Sequence, residues 1–465
     1  MTLRYQGFAV FGLGRAGLAA VTFLRAHGAA VWAWDDDAPA RAKAAELGAT
    51  LQDLRAWPAD AECLVLSPGV PFAPEPHPVV RAAHKRKIPI VGDMDLFQWT
   101  RPPDVPVLAI TGTNGKSTAC ALAVHVLDAL GYEARLGGNI GVSVLALAPP
   151  KRHGVYVLEL SSYQLELVRD FAPECGALTN LTPDHLARHG TMARYVAAKE
   201  KLLAALPPDG TAVLGVDDAP TRALAARWAN KPDAPALRRV SAYGERADIM
   251  FDGRHVRDAH GRALLDMTAC PALMGAHNAQ NAAIVYALLT ALQGIAPAPQ
   301  PITAERLADA FASFPGLDHR LQPLGELDGV RIINDSKATN AEASAVALAA
   351  FAEDAVYWIA GGRAKEGGFD ALNRMDAVRG AWLIGESGQV LADWLQAQGV
   401  DCTCCATLPR AFADALAAAR AAPPTPRRVL LFSPACASFD QYEDFAARGR
   451  AFCQLADAAL KEGAA

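Results

Sequence analysis

The sequence predicts an α/β protein of three domains: a Rossmann-like N-terminal domain, a central parallel-sheet domain with a phosphate loop, and a Rossmann-like C-terminal domain. Three observations carry this expectation. Short runs of β-forming apolar residues alternate with alanine-rich helical stretches throughout the 465 residues. Two such runs end in glycine-bearing turns that open helices, at Gly12-Leu13-Gly14 and at residues 111–118. The length suits about three domains, with boundaries expected at the proline-rich stretch 101–106 and near Leu317, giving segments 1–100, 101–316 and 317–465.

Composition narrows the function. Hydrophobic content of 52% and charged content of 20% belong to an ordinary globular chain. A net charge of −5 provides no basic footprint and argues against nucleic acid. No basic-then-apolar leader opens the sequence and no apolar window reaches spanning length, so a cytoplasmic protein without a membrane role is expected. Nine cysteines are scattered, and Cys402, Cys404 and Cys405 lack the partners that complete a zinc pattern. They read as reduced thiols.

In the first segment an apolar run at 8–11 enters Gly12, Gly14 and Gly17, which satisfy G-x-G-x-x-G, with helical spacing over 15–27. A second strand at 31–34 ends in Asp35, Asp36 and Asp37, about 20 positions past the glycines, where dinucleotide folds place a ribose-binding carboxylate. Any nucleotide diphosphate could use the same helix terminus, and glycines kept for close packing explain the pattern equally well.

The second segment opens with residues 106–118, an apolar strand leading to Gly112, Thr113, Asn114, Gly115, Lys116, Ser117 and Thr118. Backbone N–H groups at a helix start attract phosphate, the lysine reaches the outer phosphates and the hydroxyl can bind Mg²⁺. The strict Walker pattern needs glycine at position 110, where this chain has Ile110, so the loop is shorter than standard. Glu159 closes a buried strand and suits a Mg²⁺ carboxylate. His185 follows another strand end beside Asp184. Lys199, in Ala-Ala-Lys-Glu-Lys, reads as part of a solvated helical face. The alternative is a neutral lysine that adds CO₂ and supplies carbamate oxygens to a metal.

The third segment repeats the alternation, with strands expected at 330–333, 356–359, 381–384 and 429–432. Residues 334–340 pack acceptors, a cation and hydroxyls into one strand-to-helix turn. Lys365 follows a Gly-Gly strand exit, and Ser438 sits in a small-residue turn. Two lysines, hydroxyls and a helix start suit a small dicarboxylate.

In these residues the chain resembles the Mur ligase family along nearly its whole length. The resemblance rests on residues 111–118, on Gly138-Asn139-Ile140-Gly141, and on Glu159-Leu160-Ser161-Ser162-Tyr163-Gln164-Leu165-Glu166. It rests also on Leu273-Met274-Gly275-Ala276-His277-Asn278, His319-Arg320, residues 334–340 and residues 433–441. The last two stretches resemble the members that add D-glutamate. The resemblance implies ATP-dependent joining of D-glutamate to UDP-N-acetylmuramoyl-L-alanine in peptidoglycan precursor synthesis, through an acyl phosphate and a tetrahedral intermediate, by a monomer.

It assigns ATP to residues 112–118, Asn278, Asn281, Arg320 and Asp335. Two Mg²⁺ ions are implied on Ser117, Glu159, His185 and Lys199, with Lys199 carbamylated by CO₂. The catalytic group becomes Lys116, Glu159, His185 and Lys199. The UDP-linked substrate is implied near Gly14, Arg15, Ala16, Asp36, Gly69, Asn139, Ser161 and His185, and D-glutamate near Lys337, Thr339, Lys365, Ser438, Phe439 and Phe445. Asp36 and Asp37 depart from the family pattern, where threonine and arginine are frequent. Hinges are expected at 101–106 and 314–317. Related amide ligases such as folylpolyglutamate synthase share the phosphate loop. A dehydrogenase leaves Lys116, Glu159 and the third segment unexplained, and a nucleotide switch would hydrolyse ATP without amino-acid dependence.

Overall fold

Buried apolar strands flanked by helices account for most of the ordered chain in a computed structural model, which describes residues 2–296, 298–365, 368–372 and 375–463. Among these residues three sheets form. The first is wholly parallel, with spatial order Thr50–Leu51, Ala30–Trp34, Gly7–Phe11, Cys63–Leu66, Ile90–Val91. Every residue of Gly7–Phe11 is buried, as a central strand covered on both faces requires.

The second sheet has nine strands, with Val107–Thr111 between Cys175–Leu178 and Gly154–Glu159. It is parallel from Glu133–Gly138 through to Ile249–Phe251, and its far edge turns antiparallel in His255–Asp258 and Ala263–Asp266. The carboxyl ends of Val107–Thr111 and Gly154–Glu159 lie side by side, which sets the phosphate loop beside Glu159. The third sheet orders Gln322–Leu327, Val330–Asn334, Arg428–Phe432, Ala355–Gly361, Val378–Ile384 and Cys402–Ala406, antiparallel only at the first pair.

The chain divides into two compact units, residues 1–266 with 279–311, and residues 267–278 with 312–465. In the first unit the two sheets share one continuous apolar core. Phe8, Val10 and Leu24 belong to it with Val107, Tyr156 and Leu158, and Phe97 meets Tyr156 edge-on at 4.9 Å. The stretch 101–106 is consequently not the hinge that its prolines suggest. Arg101 is 9% exposed and pairs with Glu174 at 2.7 Å, and it donates further to the carbonyls of Val105 and Ala172. Glu174 also accepts from Val107 N. Arg101→Ala strands a half-buried carboxylate and two backbone carbonyls, and is expected to lower stability by about 3 kcal/mol. Urea unfolding of the first unit measures this; a change below about 0.5 kcal/mol, the level of a surface substitution, would show that the segment bears no load.

The cysteine cluster has a plain structural explanation. Cys402, Cys404 and Cys405 lie on the edge strand Cys402–Ala406, and all nine thiols are free.

Candidate active site

The phosphate loop joins the strand Val107–Thr111 to the helix Lys116–Ala129. Gly115 caps that helix at φ +84°, a left-handed conformation that glycine adopts without strain. A Cβ there would also stand 2.4 Å from Asn281 Oδ1, so the loop packs directly against Asn281. Thr113 N donates to Asn180 O and Asn114 N to Asn180 Oδ1, both at 2.9 Å. Thr113 Oγ1 lies 2.9 Å from the Tyr195 hydroxyl. The loop is thereby pinned from two neighbouring elements, and Lys116 Nζ sits over it, donating to the Gly112 and Thr113 carbonyls at 2.9 and 2.7 Å.

Glu159 ends its strand with only 2% exposure. Its Oε1 accepts from Asn139 Nδ2 at 2.7 Å, while Oε2 is buried with no hydrogen-bond partner. An orphaned carboxylate oxygen beside a phosphate loop fits a hard cation. Among the described residues no group of three His, Cys, Asp or Glu side chains could hold a metal. A Mg²⁺ ion held at Glu159 would draw part of its shell from phosphate and water oxygens, the usual arrangement for this ion.

Lys199 is the clearest departure from the residue-level reading. It is 2% exposed rather than solvated, donating to Gly112 O at 2.7 Å and Thr111 Oγ1 at 3.3 Å. Its Nζ lies 5.0 Å from the Tyr195 ring centroid. Burial, reinforced by the nearby Lys116 charge, pushes its pKa well below the ordinary lysine value. His185 takes a left-handed backbone and is half exposed, 3.3 Å from both the Asp184 carboxylate and the Tyr163 hydroxyl.

A cleft of about 650 Å³ within the first unit gathers Lys116, His185 and Lys199, with Asn139, the partner of Glu159, in its wall. Gly14, Arg15, Ala16, Gly69, Asn139, Ser161 and His185 line it together with Lys116 and Lys199. Arg15 bridges from the glycine turn to the Asn139 and Gly141 carbonyls, at 3.2 Å each. Gly17 serves packing, because a Cβ there would fall 1.8 Å from Gly12 O, whereas Gly14 meets nothing and stays open to the cleft.

Asp36 is not brought into the cleft; its side chain is 79% exposed, 3.8 Å from His77. Asp35 lines the cleft instead, and Asp37 caps the next helix by accepting from Ala40 N. Sequence reasoning also gave no role to Asp93, Ser143, Gln164 or Tyr195, all cleft-lining. Tyr195 stands four positions before Lys199 on one helix, a same-face spacing that was readable.

The second unit carries Asn278, Arg320 and Asp335 and the residues expected at D-glutamate. Asp335 accepts from Ser433 Oγ at 2.8 Å and Leu321 N at 3.1 Å, and burial raises its pKa to about 7. Lys337 Nζ stands 4.2 Å from the Phe445 ring centroid, and Lys365 Nζ donates to Thr339 Oγ1 at 3.4 Å. Ser438 is buried and Phe439 is 66% exposed. Arg448, wholly buried, ties the two loops together through the Ser336 and Cys436 carbonyls, at 3.0 Å each.

Residues 6–92 match the Mur ligase MurD-like N-terminal domain, and residues 110–289 match the Mur ligase middle domain. The UDP-N-acetylmuramoylalanine–D-glutamate ligase of Rhizobium meliloti (strain 1021) is 44% identical over 454 residues, covering 96% of this chain and 94% of its own. That of Nitrobacter winogradskyi is 42% identical over 468 residues, covering 97% and 96%. Two solved structures share the fold. UDP-N-acetylmuramate-alanine ligase MurC from Thermotoga maritima has a TM-score of 0.56 at 19% identity, over 97% of this chain and 99% of its own. MurF ligase from Thermotoga maritima, in complex with ADP, has a TM-score of 0.56 at 16% identity, over 86% and 90%. With two domain models spanning more than half of its length and relatives this similar along nearly all of it, the chain belongs to the Mur ligase family.

Proposed function

We propose that this protein joins D-glutamate to UDP-N-acetylmuramoyl-L-alanine, with cleavage of ATP to ADP and phosphate, in peptidoglycan precursor synthesis. The observation that carries the reading is the cleft: one cavity holds the glycine turn at Gly14–Ala16, Asn139, Ser161 and His185 together with Lys116 and Lys199. The names of the two ligase relatives, each matched over nearly the whole chain, support the same substrates.

The alanyl carboxylate attacks the γ-phosphorus of ATP in line. An O–P bond forms to the carboxylate, the bond to the leaving ADP oxygen breaks, and the product is an acyl phosphate. Lys116, held over the loop, neutralises charge that spreads over the γ-phosphoryl oxygens. Gly112, Thr113, Asn114, Gly115, Ser117 and Thr118 cradle the phosphates, and Asn281 supports the loop from behind. Ser117, Glu159, His185 and Lys199 are the proposed holders of two Mg²⁺ ions, which when bound neutralise phosphate charge. Asn278, Arg320 and Asp335 are the proposed nucleotide contacts of the second unit.

Lys199 is suited to carbamylation. Its neutral amine adds CO₂, an N–C bond forms, and one proton leaves to solvent, giving a long carboxylate. D-glutamate would meet Lys337, Thr339, Lys365, Ser438, Phe439 and Phe445, whose cations and hydroxyls complement two carboxylates. Its amine then attacks the acyl carbon, a tetrahedral intermediate forms, and phosphate departs to leave the amide. The division into 1–100, 101–316 and 317–465 belongs to this proposal and is supported by one sheet in each segment. No helix among the described residues is long and apolar enough to cross a membrane. A cytoplasmic monomer acting on small molecules is the proposed working form.

Phosphate release with UDP-N-acetylmuramoyl-L-alanine, ATP and a panel of amino acids tests the reading. D-glutamate is expected to stimulate release, and L-alanine, L-lysine and meso-diaminopimelate are not. Stimulation by another member of the panel, or release indifferent to amino acid, would overturn it.

A further inference from the structure

Asp93 is the first residue of the helix Asp93–Thr100 and is 5% exposed, yet it lines the cleft with Ser161 and Gln164. Gln164 Nε2 donates to Asp93 Oδ2 at 3.1 Å, and Met94 N donates to Asp93 Oδ1 at 3.1 Å. At its other end Gln164 Oε1 accepts from Ser161 N and from the Ser161 hydroxyl, both at 3.1 Å. Gln164 N in turn donates to Ser161 Oγ at 3.2 Å.

The orientation of the Gln164 amide follows from this geometry alone. A backbone N–H can only donate, so Oε1 must face Ser161 and Nε2 must face Asp93. Both oxygens of Asp93 then meet N–H donors, a demand that a carboxylate satisfies and an amide does not. Burial raises the Asp93 pKa only to about 6, which leaves the carboxylate form in place at neutral pH. The Ser161 proton is committed to Gln164, and one Oγ lone pair is taken by Gln164 N. What Ser161 still offers the cleft is an acceptor.

We propose that Asp93 is a positioning residue: acting through Gln164, it holds the Ser161 hydroxyl as a hydrogen-bond acceptor for an amide N–H or hydroxyl of the UDP-linked substrate. This rests on the reading of the cleft as the site of that substrate. An aspartate in a first helical turn also favours the helix through its dipole, so the test has to separate positioning from folding.

In Asp93→Asn the new NH₂ must oppose either Gln164 Nε2 or Met94 N. Relief of that conflict turns the Gln164 amide and deprives Ser161 of its acceptor. Steady-state kinetics of the full chain are expected to show KM for UDP-N-acetylmuramoyl-L-alanine raised up to about tenfold, the effect of one neutral hydrogen bond, with KM for ATP and D-glutamate little changed. Gln164→Met, which cuts the link without touching the helix start, should raise the same KM. The double variant Asp93→Asn/Gln164→Glu reverses the bond between the two side chains but again presents an oxygen to Ser161, and should restore KM. Asp95→Asn removes an acceptor shared by the backbone N–H groups of Arg169, Asp170 and Phe171. It should lower the melting temperature and leave that KM alone.

Wild-type turnover with D-glutamate, measured alongside, tests the functional reading separately. With that turnover present, an unchanged KM in Asp93→Asn and Gln164→Met overturns the positioning role, as does a folded double variant that does not recover.

Discussion

Lys116→Ala is expected to abolish ADP and phosphate release, with a fall in turnover on the order of 10²–10³-fold or more. The ammonium is the charge held directly over the loop, 2.9 and 2.7 Å from two of its carbonyls, and truncation leaves spreading phosphoryl charge without the loop's own cation. Binding of UDP-N-acetylmuramoyl-L-alanine should survive, because the glycine turn, Arg15 and Asn139 are untouched. Release of ADP and equilibrium binding of the UDP-linked substrate, measured on one preparation, separate the two effects. Loss of both in a protein that melts like wild type would show that Lys116 belongs to substrate binding instead.

Lys199→Ala should fall as far, on the order of 10²–10³-fold, but with a different signature. Bicarbonate, formate or acetate should partly restore activity, since a small carboxylate can stand in for the carbamate proposed on Lys199. The substitution also removes one of the two donors to the Gly112 carbonyl, Lys116 Nζ being the other, so melting is followed in parallel. Activity of Lys199→Arg near wild type, with no rescue of Lys199→Ala, would mean that the lysine works as a cation. That outcome would remove the carbamate.

Much of this arrangement is local and therefore legible in the chain. Residues 107–118 combine an apolar strand, two glycines and a lysine at a helix start, and each part has one physical purpose. Glu159 is read correctly as a strand end because the apolar run before it is unbroken. Other features depend on partners far away in sequence. The burial of Arg101 is set by Glu174, and the orientation of Gln164 by Asp93, 71 positions earlier. Charge spacing alone made Lys199 look solvated, while the helix presents it inward beside Tyr195.

One miss was avoidable. Asp37 followed by Ala38 and Pro39 is a helix N-cap pattern, which accounts for one of the two acids that depart from the family pattern. The antiparallel edge at residues 255–266 was harder to foresee. Its strands have four residues each, and His255–Asp258 holds a single apolar residue, Val256, among polar ones.

The most direct test follows the oxygen atoms. UDP-N-acetylmuramoyl-L-alanine carrying ¹⁸O in both oxygens of its alanyl carboxylate is incubated with ATP, D-glutamate and the enzyme. Attack of that carboxylate on the γ-phosphorus, then loss of phosphate from the acyl carbon, transfers a single labelled oxygen to each phosphate released and leaves the other in the new amide. Mass spectrometry of the phosphate should find that label. Unlabelled phosphate, with one label in the new amide and the other lost to water, or with both retained in unreacted substrate, would contradict the account.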